Sequence, residues 1–237
     1  MKMSLTAGIV GLPNVGKSTL FNAITKQSIL AANYPFATIE PNQGIVTVPD
    51  RRIEFLEKIY EPKKTIPASF EFTDIAGLVA GASKGEGLGN KFLSHIREVD
   101  AICEVVRCFD NDSITHVTGN VDPIRDVEII EIELILADLE VVENRLSKMG
   151  KKARMSNDKE ALAEANLLEK VKETLLANKT IRTIELTEDE QKILKPFHFL
   201  TIKPIIYVFN ILIEYFTFYL IYYTSVFFNF YSGLYFL

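Results

Sequence analysis

Gly11-Leu12-Pro13-Asn14-Val15-Gly16-Lys17-Ser18 is the stretch whose reading decides the fold. The apolar run Leu5–Val10 leads into it as a buried strand does, and Lys17–Lys26 follows with helical character. G-x-x-x-x-G-K-[ST] between a strand and a helix is a phosphate-binding loop, and a chance glycine-rich turn would lack both flanks. Glycines let backbone N–H groups turn inward around phosphate oxygens, and the helix start aims its positive end at them. The residues expected to touch a nucleotide are therefore Asn14, Val15, Gly16, Lys17, Ser18 and Thr19. Lys17 suits the β and γ phosphates, as binding and catalytic charge, and the Ser18 hydroxyl suits Mg²⁺.

Working outward, Asp74-Ile75-Ala76-Gly77 follows the strand-like Pro67–Thr73. In P-loop enzymes an aspartate there holds Mg²⁺ through water, and the glycine N–H senses the γ-phosphate. D-x-x-G alone is weak; at a strand end in a chain with a phosphate loop it is a second half of the same site. Thr38, in the polar loop after the first helix, is the candidate switch residue for Mg²⁺. Leu78 stands where Ras-like GTPases carry a water-orienting glutamine, and a leucine cannot polarise water. His116, in the polar loop Asp110–Asn120 after a core strand, is the candidate replacement. A solvated loop histidine is the other reading of the same residue.

Strands and helices alternate through Cys108, which implies a mostly parallel sheet with right-handed crossovers. Gly44–Val48 and Ala101–Cys108 read as strands, Pro49–Tyr60 and Phe92–Val99 as helices, and Gly77–Gly89 as a mobile loop. After Asp122-Pro123, apolar residues recur at helical spacing to Met149 and again from Asp158 to Leu176. A short basic turn, Gly150–Arg154, joins them into an antiparallel helical hairpin with a solvated charged face. Thr187, three residues before Glu190, caps a helix to Leu194, and Ile205–Phe209 is the next core strand. The fold class is α/β: a Ras-like P-loop domain with an inserted hairpin. The expected boundaries are 1–121 for the first part of the nucleotide domain, 122–186 for the insertion, 187–214 for the return and 215–237 for an apolar tail.

Bulk properties narrow the partners. A length of 237 residues allows one α/β domain plus an insertion or small second domain. The net charge of -5 excludes a surface that is basic throughout, so any nucleic-acid contact needs a local patch. Cys103 and Cys108, both in an apolar segment, read as small hydrophobes in a reducing compartment. The N-terminus is short and polar for a secretory signal, so a cytoplasmic location without stable membrane association is expected.

Three motif blocks carry a more specific resemblance. They are Gly8–Asn22, Tyr34–Asn42 with Thr38 inside it, and Asp74–Asn90. Together with Phe92–Asp100, Val105–Phe109 and Asp122–Met149 they resemble the Obg-like ATPases known as the YchF family, over roughly the first two hundred residues. That resemblance implies a Ras-like domain, an inserted helical hairpin, a C-terminal TGS domain, ribosome binding and a preference for ATP over GTP. It also implies that Leu78 is the hydrophobic substitute for the glutamine, and it offers His116 as the polar replacement. Ribosomal RNA is then the partner implied for the basic residues Lys151–Arg154.

The family reads its base with N-x-x-E after a Lys-Pro strand, where ordinary GTPases use N-K-x-D. Lys203-Pro204-Ile205-Ile206-Tyr207-Val208-Phe209-Asn210 fits as far as the asparagine, which makes Asn210 the expected base contact. Ile213 then occupies the glutamate position, with Glu214 one residue late. From Tyr215 to Leu237 there is no charged residue. This run reads as an out-of-frame end replacing the usual continuation into a TGS domain, ahead of a tail anchor or extra strands. The expected function is Mg²⁺-dependent hydrolysis of ATP, more weakly of GTP, with slow intrinsic turnover in a ribosome-associated switch. An ordinary GTPase and a non-functional fragment with a defective base pocket are the alternatives.

Overall fold

The strand that feeds the phosphate loop, β1 (Leu5–Val10), lies in the middle of a five-stranded sheet in a computed structural model of the chain. Residues 5–26, 42–75, 77, 88–111, 113–155 and 159–211 are described. Helix α1 (Lys17–Thr25) follows the loop, then β2 (Asn42–Thr47), α2 (Arg51–Tyr60), β3 (Ser69–Asp74), α3 (Leu88–Glu98) and β4 (Ala101–Arg107). Two long helices, α4 (Pro123–Met155) and α5 (Lys159–Leu176), precede α6 (Glu188–Leu194) and β5 (Ile205–Asn210).

The strand order is β2-β3-β1-β4-β5. β1 pairs in parallel with β3 on one side and β4 on the other, while β2 runs antiparallel to β3. β1 and β4 are buried almost throughout, and β4 takes two charged side chains, Glu104 and Arg107, into the interior with its apolar residues. Thr6 locks the start of β1: its N–H and hydroxyl both donate to Asp100 Oδ2 at 2.9 Å. Cys103 is buried, and burial first, with Glu104 second, pushes its thiol up to about 11. Such a thiol stays protonated at neutral pH and acts as a small hydrophobe.

The chain divides into two compact units: Met1–Gly77 with Val99–Val121 and Ile206–Leu237, and Leu78–Glu98 with Asp122–Ile205. In the second unit α4 and α5 form an antiparallel pair, cross-linked by Arg145–Glu164 at 2.6 Å and Lys172–Glu143 at 3.0 Å. Ile135, Val142, Leu167, Leu168, Val171 and Leu175 make its core. Leu194 and Phe199 join that core, so the segment expected to return to the nucleotide domain at residue 187 packs with the helices. The helix expected at Thr187 is present with its full capping box: the Thr187 hydroxyl accepts from the Glu190 N–H, and the Glu190 carboxylate accepts from the Thr187 N–H.

Asp138 ties these parts together. Its side chain is fully buried and accepts from the N–H groups of Leu200 and Thr201 and from the Thr201 hydroxyl, at 2.7–2.9 Å. Arg97 of α3 approaches it at 3.7 Å, and Lys203 donates to the Arg97 carbonyl. Burial raises the Asp138 carboxyl above its ordinary value against these hydrogen bonds.

Two expectations change. The basic segment 150–154 is not a turn: α4 continues through it to Met155. Lys, Ala, Arg and Met are good helix formers, a single Gly150 costs only about 1 kcal/mol, and basic residues suit a helix C-terminus. Helix α3 also begins at Leu88, inside the glycine-rich stretch expected as a loop, whose residues 78–87 lie outside the described ones.

Candidate nucleotide-binding site

The loop after β1 turns on two glycines and an asparagine with positive φ: Gly11 at 153°, Asn14 at 62° and Gly16 at 100°. A Cβ on Gly11 would meet the Val105 carbonyl, and one on Gly16 would run into the Asn210 amide. Both positions therefore need glycine for space as well as for dihedral angle. Gly16 is the left-handed N-cap of α1 and brings no side-chain cap. The first intrahelical bond among these residues runs from the Leu20 N–H to the Gly16 carbonyl. Helix termini leave their first N–H groups without intrahelical partners, and here those groups belong to residues 16–19, the expected cradle.

Three side chains meet at this helix start. Lys17 is buried, and its Nζ donates to the Leu12 carbonyl at 2.7 Å. Ser18 Oγ donates to Asp74 Oδ2 at 2.8 Å. Gly77 sits against the same place: a Cβ there would lie 3.0 Å from Lys17 Nζ and 3.1 Å from the Pro13 nitrogen. Burial lowers the Lys17 ammonium from 10.5 to about 8, with the attraction of Asp74 opposing. Burial likewise raises Asp74, opposed by the Ser18 hydrogen bond and by Lys17. Each partner's charge is thus favoured by the other and disfavoured by the loss of water.

Two further segments border the loop. Asn210, at the end of β5, donates from Nδ2 to the Val15 carbonyl at 2.9 Å, and its own carbonyl accepts from the Cys108 N–H. Asn14 Nδ2 donates to the Thr115 carbonyl at 3.1 Å, which sets the 108–121 loop beside the phosphate loop. His116, next in sequence, is not a solvated loop side chain: it is only 7% exposed, with Nδ1 held 2.9 Å from Thr118 Oγ1. Thr19 is exposed on the first turn of α1. Thr38, Leu78, Ile213 and Glu214 lie outside the described residues.

The sequence-expected residues Asn14–Thr19, Asp74, Gly77 and Asn210 therefore converge on one loop. One contributor was not read from the sequence: the Leu12 carbonyl that holds Lys17 has no side-chain signature.

Residues 6–211 match the family model described as 50S ribosome-binding GTPase. This chain belongs to that family. It is 62% identical over 209 residues to the ribosome-binding ATPase YchF of Bacillus subtilis, and 54% identical over 207 residues to that of Mycoplasma pneumoniae. These alignments cover 88% and 87% of this chain but 57% of each relative, so the chain spans little more than half their length. A solved structure, the YchF GTPase of Schizosaccharomyces pombe, superposes with a TM-score of 0.72 at 46% identity, covering 91% of this chain and 59% of that one. The resemblance read from the three motif blocks is thereby shown.

The Lys17 shift has a measurable sign. Between pH 8 and 10.5 the folded chain holds fewer protons at Lys17 than the unfolded chain, so this residue's contribution to stability improves as pH rises through that window. Below it, the buried charge costs on the order of 3 kcal/mol. Lys17→Met should therefore be more stable than the parent in the nucleotide-free state at pH 7.5, and the difference should shrink by pH 10. Denaturant unfolding at the two pH values measures it; a pH-independent difference would contradict the buried-charge reading.

Proposed function

We propose that this chain binds ATP, and GTP more weakly, together with Mg²⁺ and hydrolyses it slowly as a ribosome-associated switch in the cytoplasm. The observation that carries the proposal is the convergence of Lys17, Ser18 and Asp74 at a helix start opened by Gly16. Lys17, released from the Leu12 carbonyl, would bind the β and γ phosphates. The N–H groups of residues 16–19 would take the remaining phosphate oxygens. Gly77, beside Lys17, would offer its N–H to the γ-phosphate.

The residues present also fit Mg²⁺. A hydroxyl and a carboxylate oxygen 2.8 Å apart are hard donors of the kind this ion takes, with the aspartate acting through water. Ser18 and Asp74 would hold it, with Thr38 as a third candidate. The bound ion would neutralise charge on the phosphates. Hydrolysis then needs a group to orient water, and Leu78 cannot do so. His116 is the candidate for that role, carried on the loop that Asn14 draws to the site.

Preference for ATP is supported by the lack of N-K-x-D and by the Bacillus subtilis relative, which is named an ATPase. The GTPase reading has its own support in the description of the family model and in the name of the Schizosaccharomyces pombe structure. A competition titration against a fluorescent ATP analogue decides between them. ATP should displace the analogue at lower concentration than GTP. Equal or better displacement by GTP selects the ordinary GTPase, and no binding of the analogue selects a fragment with a defective base pocket.

The ribosome enters through the relatives' names, and the basic end of α4 supplies a candidate contact for ribosomal RNA. Replacing Lys151, Lys152 and Arg154 by Gln should weaken co-sedimentation with ribosomes and flatten its salt dependence. Unchanged co-sedimentation would remove this segment from the contact. Among the described residues no helix is long and apolar enough to cross a membrane.

A further inference from the structure

Arg107 is the last residue of β4 and is 1% exposed. Among the described residues no carboxylate pairs with it. Its partners are backbone carbonyls: Nε donates to Phe109 at 3.0 Å, one terminal nitrogen to Ile114 at 3.0 Å and the other to Asn111 at 3.3 Å. The guanidinium carbon also lies 4.7 Å from the centre of the Phe109 ring. A planar fork thus holds three points of the loop that follows the strand, each through a different nitrogen.

The next described residue of that loop touches the phosphate loop through its backbone. Thr115, adjacent to the clamped Ile114, accepts from Asn14 Nδ2. His116 follows, buried, its Nδ1 accepting from the Thr118 N–H at 3.3 Å and lying 2.9 Å from the Thr118 hydroxyl oxygen. Burying a guanidinium among neutral carbonyls is costly, and an apolar side chain would fill the same core volume with less penalty. What the arginine supplies is an anchor for the carbonyls of Phe109, Asn111 and Ile114, and therefore for the two residues that follow Ile114.

We propose that Arg107 is a positioning residue: it fixes the 109–116 loop from the sheet core so that His116 is held at a set place beside the phosphate loop. The proposal rests on the reading of His116 as the water-orienting group. It goes beyond that reading by naming what holds the histidine, which neither of the two nucleotide motifs supplies.

The test uses the full chain with Arg107→Met, Arg107→Lys, His116→Ala and the double variant Arg107→Met/His116→Ala. ATP binding should stay close to the parent in all four, which also reports that the phosphate loop is folded. Single-turnover hydrolysis should fall by about a hundredfold in His116→Ala and nearly as far in Arg107→Met. Arg107→Lys should be intermediate and the double variant no slower than His116→Ala. The His116 ring signals, assigned by their loss in His116→Ala, should shift or broaden in Arg107→Met while those of His95 and His198 stay in place. An unmoved His116 signal in both Arg107 variants overturns the proposal, as does a loss of rate in Arg107→Met that multiplies the loss in His116→Ala. Parent-like hydrolysis by His116→Ala would instead remove the catalytic reading of the histidine, and the ring signal alone would then decide whether Arg107 positions it. If Arg107→Met fails to bind ATP, Arg107→Lys carries the same comparisons.

Discussion

A cation and an anion are buried together at the start of one helix, and the rest of the candidate nucleotide site is arranged around them. Lys17 is taken out of water with a backbone carbonyl at its ammonium, and Asp74 is held by Ser18. Burial moves the two groups toward neutrality from opposite directions. Such a pair is a poor source of stability, because desolvation consumes much of the attraction. It is instead a site whose charges are already stripped of water and oriented, which is the condition under which electrostatic binding and stabilisation work best.

The sheet topology is what brings the pair together. β1 and β3 are parallel neighbours with Ile9 opposite Asp74, so the phosphate loop and the aspartate leave the sheet at the same edge. β4 lies on the other side of β1, which places the loop carrying Thr115 and His116 at that edge too. β5 ends at Asn210, whose side chain reaches the Val15 carbonyl. The strand order turns outward in both directions from β1, and ligands of open α/β sheets bind at such a switch point, outside the carboxyl ends of the strands. Residues separated by up to 195 positions thus meet because four strands end together.

Much of this was legible from local chemistry. Gly11 and Gly16 were readable because phosphate loops need backbone at positive φ, and the structure shows that side chains there would collide with Val105 and Asn210. The capping box at Thr187 was readable because its partners are three residues apart. Contacts set by distant segments were less accessible. The end of α4 depends on helix-forming residues outweighing a glycine, which a search for turns reads the other way. The packing of Leu194 and Phe199 on the helical pair is a tertiary choice with no local signature. His116 was visible as a candidate, but its burial is a tertiary outcome with no local signature, and an arginine at a strand end, such as the buried Arg107, is usually a surface residue.

The buried pair makes one direct thermodynamic demand. Triphosphate beside Lys17 favours the ammonium form, so nucleotide binding must return the proton that burial has loosened. Titration calorimetry of ATP with Mg²⁺, repeated in buffers of different ionisation enthalpy, measures that proton. With Lys17 near 8, uptake should exceed roughly half a proton per nucleotide at pH 8.5 and fall toward zero at pH 7. A binding heat independent of buffer at pH 8.5 would contradict a phosphate site built on a desolvated Lys17.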